Sequence, residues 1–455
     1  MGRFNLISFR SSARQRARHL RAFVPNAPDR YEGAFRPRPA PMSAPSESQT
    51  GSSAALLGHR SFLYYWLARV STNGAYQMQA VAVGWQIYEL TGSAFDLGLV
   101  GLVQFVPVVV LGLAAGQIAD RYDRRAVIGT CQVVKALAAA AFALGTLGGW
   151  LTRDAMLAIL FVSGTARAFE TPTMHALVPG IVPPALLPRA IAASATATQT
   201  AVICGPALGG LLYLFGAGTV YLTCTGVFVA ASALVSLIRL RGPPPQKRPV
   251  TLATVLAGFV YIRHNKVVLG AISLDLFAVL LGGVTALLPI YAKDVLAAGP
   301  WGLGLLRSAP ALGALSISIV LARSQLQRRV GPVLFASIAV FGLSAVVFAL
   351  STSLVLSMLA LAVYGAADAV SVVIRHSLVQ TRTPSDMLGR VMAVNFMFTG
   401  TSGTLGEFRA GAVAAAFGAF ASVLAGGIGA ILVALLWMRL FPELARVDSI
   451  QGQSR

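Results

Sequence analysis

Nine charged side chains stand inside long apolar runs of this sequence, and they are the residues best placed to do chemistry. They are Lys135, Arg167, Glu170, Asp275, Arg307, Asp368, Arg375, Glu407 and Arg409. A charge at the centre of a membrane-spanning helix costs at least ~2.5–3.5 kcal/mol, so each position invites a functional hypothesis. No P-loop, GxSxG, HExxH or CxxC string with supporting context is present, so familiar hydrolytic chemistry has no visible site. The carboxyl groups instead indicate proton transfer.

Asp275 is the strongest candidate for a proton carrier. It lies about nine residues, or ~13 Å, into its predicted helix and therefore near the middle of a bilayer. No basic residue is three or four positions away, which predicts an unpaired carboxyl whose desolvation favours the protonated form. A purely interhelical hydrogen-bonding role is the alternative. Glu407 is the second candidate, and Arg409 is expected either to neutralise it or to hold it ionised.

Arg167 and Glu170 lie three positions apart, on one face of a predicted helix. A local structural ion pair is the favoured interpretation, and participation in proton coupling is the alternative. Asp368, on a later predicted helix, completes the set of residues considered for proton coupling.

The composition excludes a water-soluble enzyme. Of 455 residues, 56% are hydrophobic and 11% are charged, whereas soluble proteins have about 25% charged residues. The net charge of +20 is typical of a membrane protein that collects Lys and Arg in its cytoplasmic loops, so no nucleic-acid partner is predicted. The 3 cysteines lie in apolar runs without paired spacing, which indicates neither a disulfide framework nor a metal site.

Apolar segments of spanning length recur between residues 62 and 440, without the period-2 alternation of barrel strands. The sequence therefore predicts an all-α membrane protein with twelve transmembrane helices in two pseudo-symmetric six-helix bundles. The predicted spans lie near residues 62–90, 97–119, 126–149, 155–176, 190–214, 218–239, 267–290, 302–322, 332–350, 354–376, 389–416 and 420–440.

The predicted bundles are residues 59–240 and 267–441, and residues 241–266 form a cytoplasmic linker in which an amphipathic helix is expected near 250–262. Residues 1–58 are predicted to be a disordered basic cytoplasmic tail. A transit peptide, a membrane-surface segment, or translation from Met42 are the alternatives. Residues 442–455 form a second cytoplasmic tail. Basic residues concentrate in alternate loops, and the opposite loops hold only Arg153 and Lys293, so both termini are predicted to be cytoplasmic.

An internal repeat links the two halves of the sequence. A shift of 201 residues places 164–210 on 365–411 without a gap, with about fourteen of forty-seven positions identical where chance gives about three. A parallel repeat of this kind predicts halves related by an axis along the membrane normal. Matched positions include His175 with His376, Gly205 with Gly406, Gly210 with Gly411 and, without identity, Arg167 with Asp368.

The segment 116–125, GQIADRYDRR, places an acid and arginines at the inner end of a predicted helix. A carboxylate there accepts hydrogen bonds from a helix N-terminus and pairs with arginine, which locks two helices in one conformation. Ordinary topogenic charge is the alternative. The segment resembles the loop signature of the major facilitator superfamily, although Asp123 stands where that family has Gly. The resemblance implies a gating loop formed by Gly116, Asp120, Arg121, Arg124 and Arg125.

A second motif, ICGPALGG, contains Gly205, Pro206, Gly209 and Gly210. Small residues four apart let helices approach closely, and proline bends a helix. The motif resembles the Gly-Pro-x-x-Gly-Gly string of exporters within the superfamily, which implies efflux. Segments 77–107 and 365–395 further resemble the bacterial branch that contains the enterobactin exporter. By the same resemblance, Arg167 takes the place of an arginine associated with proton transfer.

The first predicted helix carries amide side chains at its middle. Asn73 and Gln77 share one face and Gln79 lies on another. We expect Asn73, Gln77 and Gln79 to line a substrate cavity, with helix packing as the alternative.

These features predict a secondary active transporter of a bacterial inner membrane, and not an enzyme. It would export a small organic molecule, such as a siderophore or drug-like compound, in exchange for protons, with the proton gradient as energy source and no cofactor. Its expected partners are the substrate, protons and the lipid bilayer, and the chain is expected to be a monomer. An importer or symporter on the same fold and a non-transporting receptor or scaffold are the alternatives.

Overall fold

The computed structural model describes residues 56, 59–240, 252–323, 329–385 and 387–449, and every regular element in this part of the chain is a helix. The predicted tail at 1–58, apart from Leu56, lies outside the described residues, as do 241–251 and 450–455. The first six long helices are α1 Arg60–Thr91, α2 Ala94–Arg121, α3 Arg124–Leu147, α4 Arg153–Leu177, α5 Leu187–Leu212 and α6 Ala217–Ser236.

A shorter helix, α7, begins the second part of the chain where an amphipathic helix is expected. The remaining helices follow it in order. They are α7 Leu252–His264, α8 Lys266–Gly282, α9 Gly299–Arg323, α10 Val330–Leu350, α11 Leu354–Arg382, α12 Leu388–Phe417, α13 Ala419–Leu440 and α14 Pro442–Ala445.

Local sequence signals set the ends of several helices. Ser93 accepts a hydrogen bond from the backbone N–H of Asp96 and begins α2, and Thr152 begins α4 in the same way. Gly92 ends α1 with a left-handed backbone conformation, φ 59°, which glycine adopts without steric cost.

Helix α8 is interrupted next to a cavity between the two halves of the chain, which Thr285, Ala286 and Pro289 help to line. It ends at Gly282, and short helical turns continue its path through Thr285–Leu287 to Val295. An interruption frees backbone carbonyls that need partners inside a membrane. The hydroxyl of Tyr364 donates to the carbonyl of Gly282 at 3.0 Å, and Arg409 donates to the carbonyl of Leu281 at 2.6 Å.

Nine helical segments of the described chain are long and apolar enough to cross a membrane. The other long helices, α1, α4 and α12, have 32, 25 and 30 residues and carry most of the polar side chains discussed below. Large apolar side chains lie exposed along the outer faces, including Val110 at 70% and Leu137 at 65% exposure. Such a surface suits a lipid environment better than water.

The helices of the two halves pack in the same pattern. In the first half α1 packs on α5 and α6, α2 on α4, and α3 on α4 and α6. In the second half α8 packs on α12 and α13, α9 on α11, and α10 on α11 and α13. The halves meet where α5 crosses α9 and where α12 crosses α2. Each contact therefore has a counterpart six long helices later, as the sequence repeat predicts.

Glycines lie at both crossings between the halves. A Cβ atom added at Gly210 of α5 would lie 3.0 Å from the Cα atom of Gly304 on α9. One added at Gly411 of α12 would lie 2.8 Å from the Cα atom of Gly98 on α2. Any larger residue would force the backbones apart, so these positions require glycine. Gly210 and Gly411 are matched by the repeat, so equivalent glycines allow the close helix contact at both crossings.

Candidate functional site

A cavity of about 480 Å³ lies between the two halves of the chain. This central cavity is within the size range of pockets that hold small organic ligands. Helices α1, α2 and α4 contribute to it from one half, and α9, α12 and the turns after α8 from the other. Its polar and charged lining residues are Tyr76, Gln104, Arg167, Thr171, Thr285, Arg307, Thr404 and Glu407.

A second cavity of about 200 Å³ adjoins it within the first half, and we call it the side cavity. Helices α1, α3, α4 and α5 form its walls. Tyr76, Arg167 and Thr171 line both cavities, so the two spaces are neighbours. The side cavity is otherwise lined by Arg69, Thr72, Asn73, Lys135, Glu170, Met174, His175 and Thr198.

Arg167 lies against an aromatic ring at the boundary between the two cavities. Its guanidinium carbon is 3.9 Å from the ring centroid of Tyr76, a cation–π contact. The hydroxyl of Tyr76 donates to Oε1 of Gln104 at 3.0 Å, which fixes the ring. The arginine is thereby held at the cavity surface with its donors accessible.

The predicted Arg167–Glu170 ion pair is wrong. Glu170 pairs with Lys135 of α3, with 2.5 Å between Oε2 and Nζ, and both side chains are buried. Gln132 also donates to Glu170 and, at 2.6 Å, to Thr72. The buried ammonium group needs a counter-ion more than the guanidinium does, because Arg167 faces open space and has the Tyr76 ring.

Asp275 is paired, contrary to the prediction from its own helix. Its Oδ2 lies 2.5 Å from a terminal nitrogen of Arg375 on α11, and both side chains are buried. Thr399 donates to the same carboxylate at 3.4 Å, and Nε of Arg375 donates to Ser371 at 3.1 Å. Local spacing missed the pair because the cation comes from another helix.

The half-buried Asp368 belongs to this same group of charges. It lies on α11 and interacts electrostatically with Arg375 and Asp275. Arg375 therefore pairs directly with Asp275 and is within electrostatic reach of Asp368. The proton-coupling role of this cluster stays a prediction.

Glu407 is the carboxyl group of the central cavity. Its Oε2 lies against α2, 3.0 Å from where a Cβ of Gly101 would stand. It interacts electrostatically with Arg307 of α9, whose guanidinium donates to the carbonyl of Ala80 on α1 at 3.2 Å. Arg409 does not pair with Glu407, because residues two apart point to different sides of a helix and Arg409 instead bonds the interrupted α8.

The three amides of α1 lie in different places. Asn73 lines the side cavity, where its Nδ2 donates to the carbonyl of Arg69 at 2.8 Å. Gln79 is buried beside a crevice of about 10 Å³ that also contacts Tyr76 and Gln104. Gln77 instead packs on α5, where a Cβ at Gly205 would approach its Cβ to 2.7 Å. The structure thus gives Gln77 a packing position rather than a cavity position.

The glycines of the ICGPALGG motif face two different helices. Gly205 and Gly209 pack against α1, and a Cβ atom added at Gly209 would lie only 2.8 Å from the Cα atom of Met78. Gly210 faces α9, and the carbonyl oxygen of Pro206 lies 2.5 Å from a Cβ at Gly304. The motif therefore positions the cavity wall α1 and joins the halves.

The loop between α2 and α3 ties together the ends of several helices. Arg124 is buried and donates to the carbonyls of Ala119 at 3.2 Å and Ala176 at 2.8 Å, which joins the ends of α2 and α4. Arg125 donates to the carbonyl of Ile238 at 3.1 Å, after α6. Gly116 is half-buried with open space around its Cα, and Arg121 is exposed. The predicted gating residue Asp120 has a side chain outside the described residues.

Asp123, the departure from the family signature, begins helix α3. Its Oδ1 accepts a hydrogen bond from the backbone N–H of Arg125 at 3.0 Å, and its Oδ2 lies 2.9 Å from the Arg125 guanidinium. The hydrogen bond from that guanidinium holds the pKa of Asp123 below its ordinary value. Asp123 thus provides a carboxylate that both accepts a hydrogen bond from the start of α3 and pairs with an arginine.

Arg124→Ala is expected to lower the free energy of unfolding by about 1.5–3 kcal/mol, because buried carbonyls lose a charged donor. Chemical denaturation of the purified protein in detergent measures the change. Arg121→Ala is the matched control, since Arg121 is exposed, and should change stability by less than about 0.5 kcal/mol. Equal losses in the two variants would contradict the assigned role of Arg124.

At the other end of the helices, polar contacts join the halves. The hydroxyl of Tyr88 on α1 donates to Asp294, and Lys293 lies 5.4 Å from the centroid of the Tyr88 ring. Tyr213 donates to Glu89 at 3.0 Å within the first half. The glycine crossings near the start of α2 and the end of α5 lie at this same end of the helices.

Three cavity residues lacked a role in the sequence interpretation. Arg307 and Gln104 line the central cavity, and Arg69 lines the side cavity. Arg69 lies four positions before Asn73, so helical spacing alone would have placed Arg69 on the same face as this predicted cavity residue. Within the described part of the chain, no three His, Cys, Asp or Glu side chains gather as a metal site requires.

Solved structures share this arrangement of helices. A bacterial homologue of the human lysosomal transporter Spinster, in an inward-facing and unoccupied conformation, matches with a TM-score of 0.68 and 14% identity, over 85% of this chain and 98% of that one. The nucleoside transporter NupG matches with a TM-score of 0.64 and 15% identity, over 84% and 99% of the two chains. At these identities the likeness establishes the fold.

Curated relatives are closer in sequence. The chain is 30% identical over 408 residues to the enterobactin exporter EntS of Citrobacter koseri, which covers 85% of this chain and 93% of that protein. It is 29% identical over 403 residues to the EntS of Escherichia coli O1:K1 / APEC, with the same coverage. The family model described as transmembrane secretion effector matches residues 51–454. The chain therefore belongs to the transmembrane secretion effector family and is a transporter of the major facilitator type.

Proposed function

We propose that this chain is a proton-coupled exporter of a small organic molecule. The observation that carries the proposal is the central cavity, which both halves line and whose charged lining residues are Arg167, Arg307 and Glu407. We propose twelve spans in two six-helix bundles that rock about this cavity, in a bacterial inner membrane with both termini in the cytoplasm. The repeated packing pattern and the basic loops support that arrangement.

Glu407 becomes the leading proton carrier. It contacts α2 of the other half and lies in a cavity that a substrate would share, so its protonation and substrate binding can compete. Asp275 and Asp368 form the second candidate, because the two carboxyl groups interact electrostatically with a single arginine, Arg375. A proton that moves through ~100 mV supplies ~2.3 kcal/mol, which is enough to drive uphill transport.

Export is the proposed direction. The ICGPALGG motif supports it by resemblance, and the named activity of the relatives is export. Because those relatives are named for enterobactin, enterobactin itself is the first substrate to test.

Purified protein in proteoliposomes with an acidic lumen and a pH-sensitive dye inside tests the proposal. Added enterobactin should accumulate in the lumen while the dye reports proton loss, up to about tenfold for a pH difference of about one unit and one proton per molecule. Collapsing the gradient with a protonophore should stop accumulation. Uptake that requires acid outside instead would favour a symporter, and binding without flux in either gradient would favour a receptor.

A further inference from the structure

Two arginines line the side cavity without a carboxylate partner in the described part of the chain. Arg69 donates to Thr198 at 3.1 Å and to the hydroxyl of Tyr65 at 3.2 Å. Arg167 has the Tyr76 ring at 3.9 Å. The ion pairs of the described residues include neither arginine. A cation placed inside a membrane protein without a counter-ion is costly, so its position indicates a function.

The charges around the two cavities do not balance. Lys135 and Glu170 neutralise each other, and Arg307 has Glu407 as its electrostatic partner. The remaining charged lining residues are Arg69 and Arg167, both positive. The side chains that line the two cavities therefore carry an excess of positive charge.

The matching place in the second half contains a built-in counter-ion. Thr198 and Thr399 are matched by the 201-residue repeat, and each bonds the charged residue of the first long helix of its own half. Thr198 accepts from Arg69 on α1 at 3.1 Å, and Thr399 donates to Asp275 on α8 at 3.4 Å. Asp275 is neutralised by Arg375 at 2.5 Å.

The first half has no such counter-ion. The residue that the repeat places opposite Arg375 is Met174, an uncharged side chain that lines the side cavity. Where the second half has an ion pair, the first half thus has a lone arginine, an apolar side chain and about 200 Å³ of space. A negatively charged ligand in the side cavity would supply the counter-ion that Arg69 lacks.

We propose that the side cavity is a subsite for the oxyanion group of an organic anion, whose apolar body lies in the central cavity. Guanidinium groups present paired donors that match an oxyanion, and the arginines approach the subsite from α1 and α4. Tyr76 and Phe105 line the central cavity and offer aromatic surfaces to the ligand body. The inference rests on the proposed transport function and names its substrate class.

Equilibrium binding to the purified protein tests this subsite without any gradient. The probes are a panel of aryl carboxylates, each matched with its neutral primary amide and titrated calorimetrically into protein in lipid nanodiscs. The carboxylates should bind about tenfold or more tightly than their amides, since a charged hydrogen bond is lost in the amide. Arg69→Gln and Arg167→Gln should each remove that preference, whereas Arg69→Lys and Arg167→Lys should retain part of it.

Arg382→Gln is the control, because Arg382 is exposed at the end of α11 and lines neither cavity. It should leave every affinity unchanged, and circular dichroism should show that all variants are folded. The proposal is overturned if no carboxylate binds, if amides bind equally, or if the Gln variants keep the preference. Binding of inorganic phosphate as tight as that of the carboxylates would also overturn it. Because this assay needs no flux, its failure is separable from failure of the transport experiment.

Discussion

Replacing Arg375 by Met is expected to lower the free energy of unfolding by about 3–5 kcal/mol, because it leaves the buried carboxylate of Asp275 without a counter-ion. The wild-type pair is 2.5 Å apart with both side chains 2–4% exposed, so water cannot replace the lost partner. Chemical denaturation in detergent, followed by far-ultraviolet circular dichroism, measures the change.

The control for this prediction is an exposed pair in the same half. Lys266 lies 3.6 Å from Glu443, with side chains 73% and 57% exposed. Lys266→Met should therefore change stability by less than about 1 kcal/mol. The double variant Asp275→Asn with Arg375→Met should recover much of the loss, since it removes both charges. If Arg375→Met and Lys266→Met lost equal stability, Arg375 would not be a buried structural counter-ion.

Glu407→Gln is expected to reduce substrate-dependent proton release by about 100-fold, the lower end of what a positioned proton-transfer group contributes. Gln keeps the shape of the side chain and its packing beside Gly101, so the fold and substrate binding should persist. The dye-loaded proteoliposomes described above measure proton release, and binding is titrated separately.

Glu443→Gln serves as the matched control, because Glu443 is an exposed carboxylate remote from both cavities. It should release protons at the wild-type rate. Unchanged release in Glu407→Gln would exclude Glu407 as the carrier and direct attention to the cluster of Asp275, Arg375 and Asp368. Loss of both release and substrate binding would instead indicate that Glu407 holds the substrate.

The sequence could identify the costly charges but not their partners. Spacing along the chain predicts an unpaired Asp275, because it reports only neighbours on the same helix. Arg375, its partner, lies on α11, and Lys135, the partner of Glu170, lies on α3. Such pairs depend on how helices rotate against each other, and a single sequence with apolar residues on every face of its helices leaves that rotation open.

The repeat was a better guide because it constrains two halves at once. It matches Gly210 with Gly411, and both lie at crossings between the halves. The amides of α1 are harder to place, since Gln77 and Asn73 share a helical face by spacing, yet Gln77 packs against α5 at Gly205 while Asn73 lines the side cavity. Interhelical distance, rather than helical periodicity, decides which polar residue reaches the cavity.

The glycine crossings also determine how steeply the contact between the halves depends on distance. At Gly210 with Gly304, and at Gly98 with Gly411, main chain lies directly against main chain. Dispersion holds such a seam, and a gap of about 0.5–1 Å already forfeits about a quarter to a half of that attraction. The helices keep their own hydrogen bonds on either side as they separate. The main-chain contact at each crossing is thus stabilised only at very short range, whereas the side-chain contacts of Tyr88 with Asp294 and of Phe95 with Phe408 also join the halves.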